Sequence, residues 1–311
     1  MNNEQFEHKD IAIIGGGPAG MQAALIASRA RKKVVVFDNP APPRNGASLG
    51  VHNFLGFDGL LVPEVRKVAW KQINTYKYAE LIKELVIDIQ KSEDGKFILS
   101  GFNGTRIKAS KVVLCTGYQD VYPDVPGFVE CWGNTVVHCP YCDGYENRDR
   151  VWGIVPRSED GLFNLAQLSL NWASESKIFL PPGIEADKEL REDLNIYGMS
   201  IYEGNISEIH HNEGKTEAVT LESGEKIDVE TLLWIPPYKT VPLIDKLVEN
   251  LGLELNEDGF VKTYEDMKTN INGLWSAGEV NECCSNALNS AIEGSTAVKS
   301  IIYNWYDLDK Y

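Results

Sequence analysis

No uninterrupted apolar run in this chain approaches the ~20 residues that a membrane-spanning helix requires, although 43% of its 311 residues are hydrophobic. The first ten residues, MNNEQFEHKD, are polar and acidic where a secretory signal would be basic and then apolar. A soluble, cytoplasmic protein with no membrane partner is expected. Positive charge is scarce too. Thirty Lys and Arg stand against 45 Asp and Glu, a formal charge of -15 that repels nucleic acid and anionic lipid and excludes both as partners. One compact basic run remains, Arg29, Arg31, Lys32 and Lys33, read either as the solvated end of a helix or as a docking patch for an acidic protein.

Cysteine is sparse as well. Six in a chain of this length do not make a disulfide scaffold, and in a reducing compartment a C-x-x-C pair is transient and catalytic. Cys139 and Cys142 form such a pair in HCPYCDGYE. A zinc site built on it would need a second C-x-x-C or an H-x3-5-H. Neither is present: His210 and His211 are adjacent, and the other cysteines are Cys115, Cys131 and the vicinal Cys283 and Cys284. No metal is expected, and the pair reads as a redox dithiol. Cys115, in VVLCTGY, is expected to be a small buried residue beside a cofactor. A Cys283–Cys284 redox pair would close a strained eight-membered ring.

What the chain does have is a complete strand–turn–helix–strand unit over residues 10 to 38. Ile11 to Ile14 form the buried strand, MQAALIASRA is a run of strong helix formers, and VVVF is a second strand ending at Asp38. In the intervening GGGPAG, Gly15 permits the tight turn and Gly17 lets the backbone approach a pyrophosphate on the helix N-terminus. Gly20 lets helix and strand pack closely. Asp38 stands roughly 20 residues on, where an acid binds a ribose.

A second, altered copy begins at residue 150. VWGIV is a strand, GLFNLAQLSLNWA a helix with Leu162, Leu165, Leu168 and Trp172 on one face, and KIFL the next strand. Where the first copy has GGGPAG, this one has PRSEDG. Pro156 offers no N–H, the Cβ of Ser158 crowds a pyrophosphate, and Glu159 and Asp160 put negative charge where phosphate must go. After the second strand, FLPPGIEAD supplies no arginine for a 2'-phosphate. Arg157 reads as a surface residue or a ligand for some other phosphate. The nucleotide fold is kept and its phosphate cradle is lost.

A C-x-x-C pair lowers one thiol's pKa, so that its thiolate attacks a partner disulfide and the second cysteine resolves the mixed disulfide. Asp143 is placed to move the proton this exchange requires. His138 is either a second proton carrier or a histidine satisfied at a strand end.

The ordered series GGGPAG, Cys115-Thr116-Gly117, C-x-x-C-D-G, a second nucleotide-type unit, and AGEV with SNALNSAIEGS resembles the low-molecular-weight thioredoxin reductases over essentially the whole chain. The resemblance implies an α/β protein of the pyridine-nucleotide-disulfide oxidoreductase fold, with two Rossmann-like three-layer ββα domains. These are a discontinuous FAD domain over 1–117 and 244–311, and a redox-disulfide domain over 118–243. It implies a homodimer that binds FAD through Gly15, Gly17, Pro18, Ala19, Gly20, Asp38, Asn53, Thr116, Gly117, Gly278, Glu279, Asn286 and Ala287. Cys142 would take electrons from the flavin, Cys139 would attack the substrate, and Asp143 would donate the proton.

Glu279 replaces the family's aspartate, and Ser285 to Ala287 replace its R-Q-A segment. With its cradle lost, the chain is similar to the NADPH-independent branches, including ferredoxin-linked reductases. The expected flow is from a donor other than NADPH, with reduced ferredoxin a candidate, through FAD and Cys139/Cys142 to thioredoxin or a similar disulfide protein. CPYCDGYE and PPRNG are also similar to dithiol oxidases that pass electrons to oxygen, and a non-catalytic flavin-binding sensor or scaffold is a third reading. The aromatic tail IIYNWYDLDKY either caps the last helix or shields a flavin.

Overall fold

The computed structural model describes residues 6–283 and 285–306. The chain divides into two compact units, one comprising Met1–Arg44, Pro63–Gln119 and Lys239–Tyr311, the other Asn45–Val62 and Asp120–Tyr238.

In the first unit, β1 (Glu7–Ile14), α1 (Pro18–Arg29) and β2 (Val34–Phe37) form the expected nucleotide-type motif. Ile11 to Ile14 and all of β2 are buried, as strands covered on both faces must be. Helix α2 (Val62–Asn74) leads to β3 (Ala79–Ile82), and β4 (Val86–Lys91), β5 (Phe97–Gly101) and β6 (Arg106–Leu114) follow. The sheet order is β3-β2-β1-β6-β5-β4, parallel from β3 to β6 and antiparallel beyond.

The second unit carries β7 (Val136–Val137), the short helix α3 (Pro140–Asp143), β8 (Val151–Val155), α4 (Glu159–Ser169), β9 (Glu175–Leu180) and β10 (Ser200–Glu203). A separate antiparallel sheet holds β11 (Ile206–Asn212), β12 (Lys215–Leu221) and β13 (Lys226–Asp228), after which β14 (Thr231–Trp234) returns to the first sheet. That five-stranded sheet runs β10-β9-β8-β14-β7, all parallel. Helix α4 ends at Ser169, so Trp172 lies in the following turn rather than on the helix face. The Ser169 hydroxyl donates to the Ala166 carbonyl at 2.6 Å, and the Asn171 amide donates to the Leu168 carbonyl at 2.8 Å, which closes the helix there.

The chain returns to the first unit at Lys239 and adds β15 (Leu274–Ser276), parallel to β6, and α5 (Ala287–Tyr303), whose N-cap Asn286 accepts from the Asn289 N–H at 2.8 Å. Residues 45–62, read from sequence as part of the first domain, cluster with the second unit. The reason is local bonding: the Asn53 amide donates to the Tyr141 carbonyl at 2.5 Å and the Ser48 hydroxyl to Asp143 at 3.1 Å.

The basic run after α1 is tied down by aromatic side chains. Lys32 is buried with its Nζ 3.7 Å from the Trp305 ring centroid and 5.1 Å from that of Tyr306, and Arg31 donates to the Tyr78 hydroxyl at 3.0 Å. Trp305 thus sits at the C-terminal end of α1, a helix length of about 18 Å from the glycine turn at its other end. It packs against that helix and does not reach a flavin held at the turn of its own chain. Tyr311 and the rest of 307–311 lie outside the described residues.

Candidate active site

In the first unit, the turn after β1 is built by glycine. Gly15 has φ +115°, and a Cβ on it would meet the Cys115 carbonyl oxygen at 2.1 Å; one on Gly20 would meet the Gly15 carbonyl oxygen at 1.8 Å. Gly17 differs. Nothing lies within 4 Å of where its Cβ would be, and as N-cap of α1 it brings no side-chain hydrogen bond to the helix. The first free N–H groups of α1, those of Ala19 and Gly20 behind the N–H-less Pro18, therefore face an open cradle, the arrangement that receives a pyrophosphate. At the end of β2, buried Asp38 accepts from the Gly16 N–H at 3.1 Å and from Lys83 Nζ at 2.5 Å, and is paired with Arg66. The residues present fit the adenosine–pyrophosphate half of FAD.

Thr116 and Gly117 follow β6 at the same sheet edge, and Gly278 and Glu279 follow β15. The Gly278 N–H donates to Glu293 at 2.7 Å, and the Asn281 amide donates to the same carboxylate at 3.0 Å. Burial pushes the Glu293 carboxyl up. Burial first, and then the Glu293 charge, also raises Cys115 far out of the thiolate range, so Cys115 is an inert buried thiol. Glu279 pairs with Arg44 at 3.3 Å, and the Arg44 guanidinium lies 4.3 Å from the Tyr118 ring centroid. Tyr118 in turn places its hydroxyl 3.9 Å from the Cys283 sulfur; Cys284 lies outside the described residues. Asn286 and Ala287 begin α5.

In the second unit, Cys139 is the N-cap of α3 and Cys142 lies on it. The Cys142 thiol donates to Cys139 Sγ across 2.9 Å. That bond lowers the Cys139 pKa, backbone N–H groups of Cys142 and Tyr141 lower it further, and burial and the Asp143 charge oppose them. Cys139 is thus the more readily ionised sulfur of the pair, with Cys142 as its hydrogen-bond donor. Asp143 is buried, and desolvation raises its carboxyl to about 6 against the pull of the Ser48 hydroxyl and His52. His138 stacks on Trp132 at 5.7 Å between ring centroids, at the end of β7. An edge-on pair, Tyr141 and Trp172 at 5.8 Å, flanks the cysteines, and Tyr141 is 64% exposed. Asn53 donates to the Tyr141 carbonyl, a contact that ties it to the cysteine helix. Cys131 is buried and hydrogen-bonded to Thr216 and Thr135.

The altered turn between β8 and α4 closes on itself. Ser158 is the N-cap and makes no side-chain cap, while the Glu159 carboxylate in the first turn accepts from the Glu185 N–H at 3.1 Å, in the loop beyond β9. On the helix that follows, Lys188–Ile196, Arg191 donates to the Ala186 carbonyl at 2.8 Å and to Glu203 at 2.5 Å. Arg157 lies 4.2 Å from the Tyr238 ring centroid. Nothing in the sequence singles out Ser48 or His52; Arg44 lies in the PPRNG segment, and Glu293 is marked only as the one acid in SNALNSAIEGS.

A family model described as pyridine nucleotide-disulphide oxidoreductase matches residues 9–151 and 179–297. The chain is 30% identical to the thioredoxin reductase tcpT of Claviceps purpurea over 93% of this chain and 91% of the relative. It is 28% identical to the thioredoxin reductase of Bacillus subtilis over 94% and 93%. The crystal structure of TrxB from Bacillus anthracis superposes with a TM-score of 0.89 at 28% identity, covering 96% of this chain and 99% of that one. With the glycine cradle and the thiol pair in place, the chain belongs to the pyridine nucleotide-disulphide oxidoreductase family, as a thioredoxin reductase-like, FAD-dependent oxidoreductase that acts on disulfides.

Proposed function

We propose that this enzyme reduces a protein disulfide, that of thioredoxin or a similar protein, with electrons that reach FAD from a donor other than NADPH. Reduced ferredoxin is the donor class put first, and a cytoplasmic homodimer the working assembly. The observation that carries this reading is the Glu159–Glu185 hydrogen bond, which puts a carboxylate at the α4 N-terminus where a dinucleotide phosphate would have to bind. Support also comes from Arg191, on the helix Lys188–Ile196 beyond β9, whose guanidinium is engaged by Ala186 and Glu203.

FAD, when bound, relays electrons from the donor to the cysteine pair. In this reading Gly15, Gly17, Pro18, Ala19, Gly20, Asp38, Thr116, Gly117, Gly278 and Glu279 hold it. The Cys139 thiolate attacks one sulfur of the partner disulfide; a mixed disulfide forms, the partner's S–S bond breaks, and the leaving thiolate takes the proton held by Asp143. Cys142 then attacks Cys139 Sγ, its proton passing to the partner's second sulfur, which leaves as a thiol as the Cys139–Cys142 disulfide forms. The pair loses two electrons and the partner gains two.

An anaerobic donor screen tests this, following loss of flavin absorbance with NADPH, NADH, reduced ferredoxin and small dithiols. Bleaching by reduced ferredoxin with none by either nicotinamide is expected. Rapid stoichiometric reduction by NADPH would overturn the proposal, and bleaching by dithiols with oxygen uptake on aeration would replace it with a dithiol oxidase.

A further inference from the structure

Ser48 Oγ stands between two oxygens, Asp143 Oδ1 at 3.1 Å and the Gly50 carbonyl at 3.0 Å. A serine hydroxyl carries one proton and two acceptor lone pairs, so it donates to one of them at a time. The charge state of Asp143 decides which. Ionised, Asp143 accepts the Ser48 proton. Protonated, it donates its own proton to Ser48 Oγ, and the Ser48 proton turns to Gly50. Either way the buried carboxyl stays hydrogen-bonded, and an unbonded polar group there would be costly.

We propose that Ser48 is a positioning residue of the cysteine site, a rotating hydroxyl that holds the Asp143 carboxyl in one place while its proton comes and goes. This rests on the reading of Asp143 as the proton carrier for the dithiol. The charged groups that act on Asp143 are Glu146, whose negative charge resists its ionisation, and His52, whose positive form favours it, while the Asp143 charge in turn raises the Cys139 pKa. His52 itself lies 3.9 Å from Asp58 and 3.6 Å from Glu146. These charges set the field at Asp143; Ser48 sets its geometry. The Asn147 amide fixes the backbone by donating to the Asp143 carbonyl at 3.0 Å.

The test is an infrared pH titration of the FAD-loaded enzyme, with the protonated carboxyl band of Asp143 assigned by its loss in Asp143→Asn. In Ser48→Ala both forms lose a hydrogen bond and the charged form loses the stronger one, so the titration midpoint should rise by about one pH unit, the difference between a hydrogen bond to a charged and to a neutral carboxyl. The C=O stretch of the protonated acid should move to higher frequency. Ser48→Thr keeps the hydroxyl and should restore both values, and Ser48→Cys, a weaker donor, should fall between. Circular dichroism and flavin content report folding separately. A Ser48→Ala titration superimposable on the wild type would overturn the proposal. If the midpoints shift as expected but Asp143→Asn leaves the pH profile of disulfide reduction unchanged, the switch stands and the proton-carrier reading of Asp143 falls.

Discussion

The Cys142 thiol lies 2.9 Å from Cys139 Sγ and, as hydrogen-bond donor, lowers the Cys139 pKa, so the two sulfurs of one four-residue motif are chemically distinct before any partner arrives. The asymmetry comes from position: Cys139 stands at the N-cap of α3 and collects the backbone N–H groups of Tyr141 and Cys142.

Cys139 should therefore be alkylated faster than Cys142 in the reduced enzyme at neutral pH. Cys142→Ala removes the donor and should raise the Cys139 pKa by about one to two units, whereas Cys142→Ser, with a hydroxyl in place of the thiol, should raise it less. The pH dependence of iodoacetamide labelling, resolved by mass spectrometry, measures both. Equal labelling rates at the two sulfurs would contradict the asymmetry.

Asp143 fixes the sign of a pH effect on stability. Its folded pKa of about 6 lies above the ordinary 3.8, so between those values the native state binds more protons than the unfolded one. Its neutral form favours the fold below pH ~4, and that contribution is lost as pH rises through about 6, an order-of-magnitude ~3 kcal/mol. Asp143→Asn, neutral at every pH, should accordingly be more stable than wild type at pH 8 and no more stable at pH 4. Urea unfolding at the two pH values checks this. The proton-donating step should also slow as pH rises through the same value.

The glycine turn separates folding from cofactor binding. Gly17→Asp, whose side chain enters open space, should fold and purify without FAD because its carboxylate meets the pyrophosphate. Gly15→Ala puts a methyl group against the Cys115 carbonyl at φ +115° and should lose stability by at least ~1–3 kcal/mol. Flavin absorbance relative to protein, together with thermal melts, distinguishes the two outcomes.

Trp305 is assigned to packing. Trp305→Ala removes the ring beneath buried Lys32 and should lower stability by roughly 0.5–2 kcal/mol from the lost cation–π contact alone, and more from lost burial. Flavin fluorescence should be unchanged in the folded variant. A rise in fluorescence would return the tail to a shielding role.

The nucleotide turn and the dithiol are legible in the chain because each is local. Gly15, Gly17 and Gly20 meet steric demands set within one turn, and Cys139 and Cys142 meet on a single helical turn whatever surrounds them. The altered residues of the second turn, Pro156, Ser158 and Glu159, are legible for the same reason, since they replace one turn's worth of sequence. The environment of those groups was decided by tertiary structure. Ser48 reaches Asp143 across 95 residues of sequence and Arg44 reaches Glu279 across 235, and no periodicity or spacing encodes such pairs. The Asp143 carboxyl is raised to about 6 chiefly by desolvation, a property of how closely the 45–62 loop and the surrounding sheet exclude water. The residues that can carry electrons and protons were thus written into the sequence, along with the local bonds that make Cys139 the more readily ionised sulfur, while burial and long-range hydrogen bonding determined when the carboxyl holds its proton.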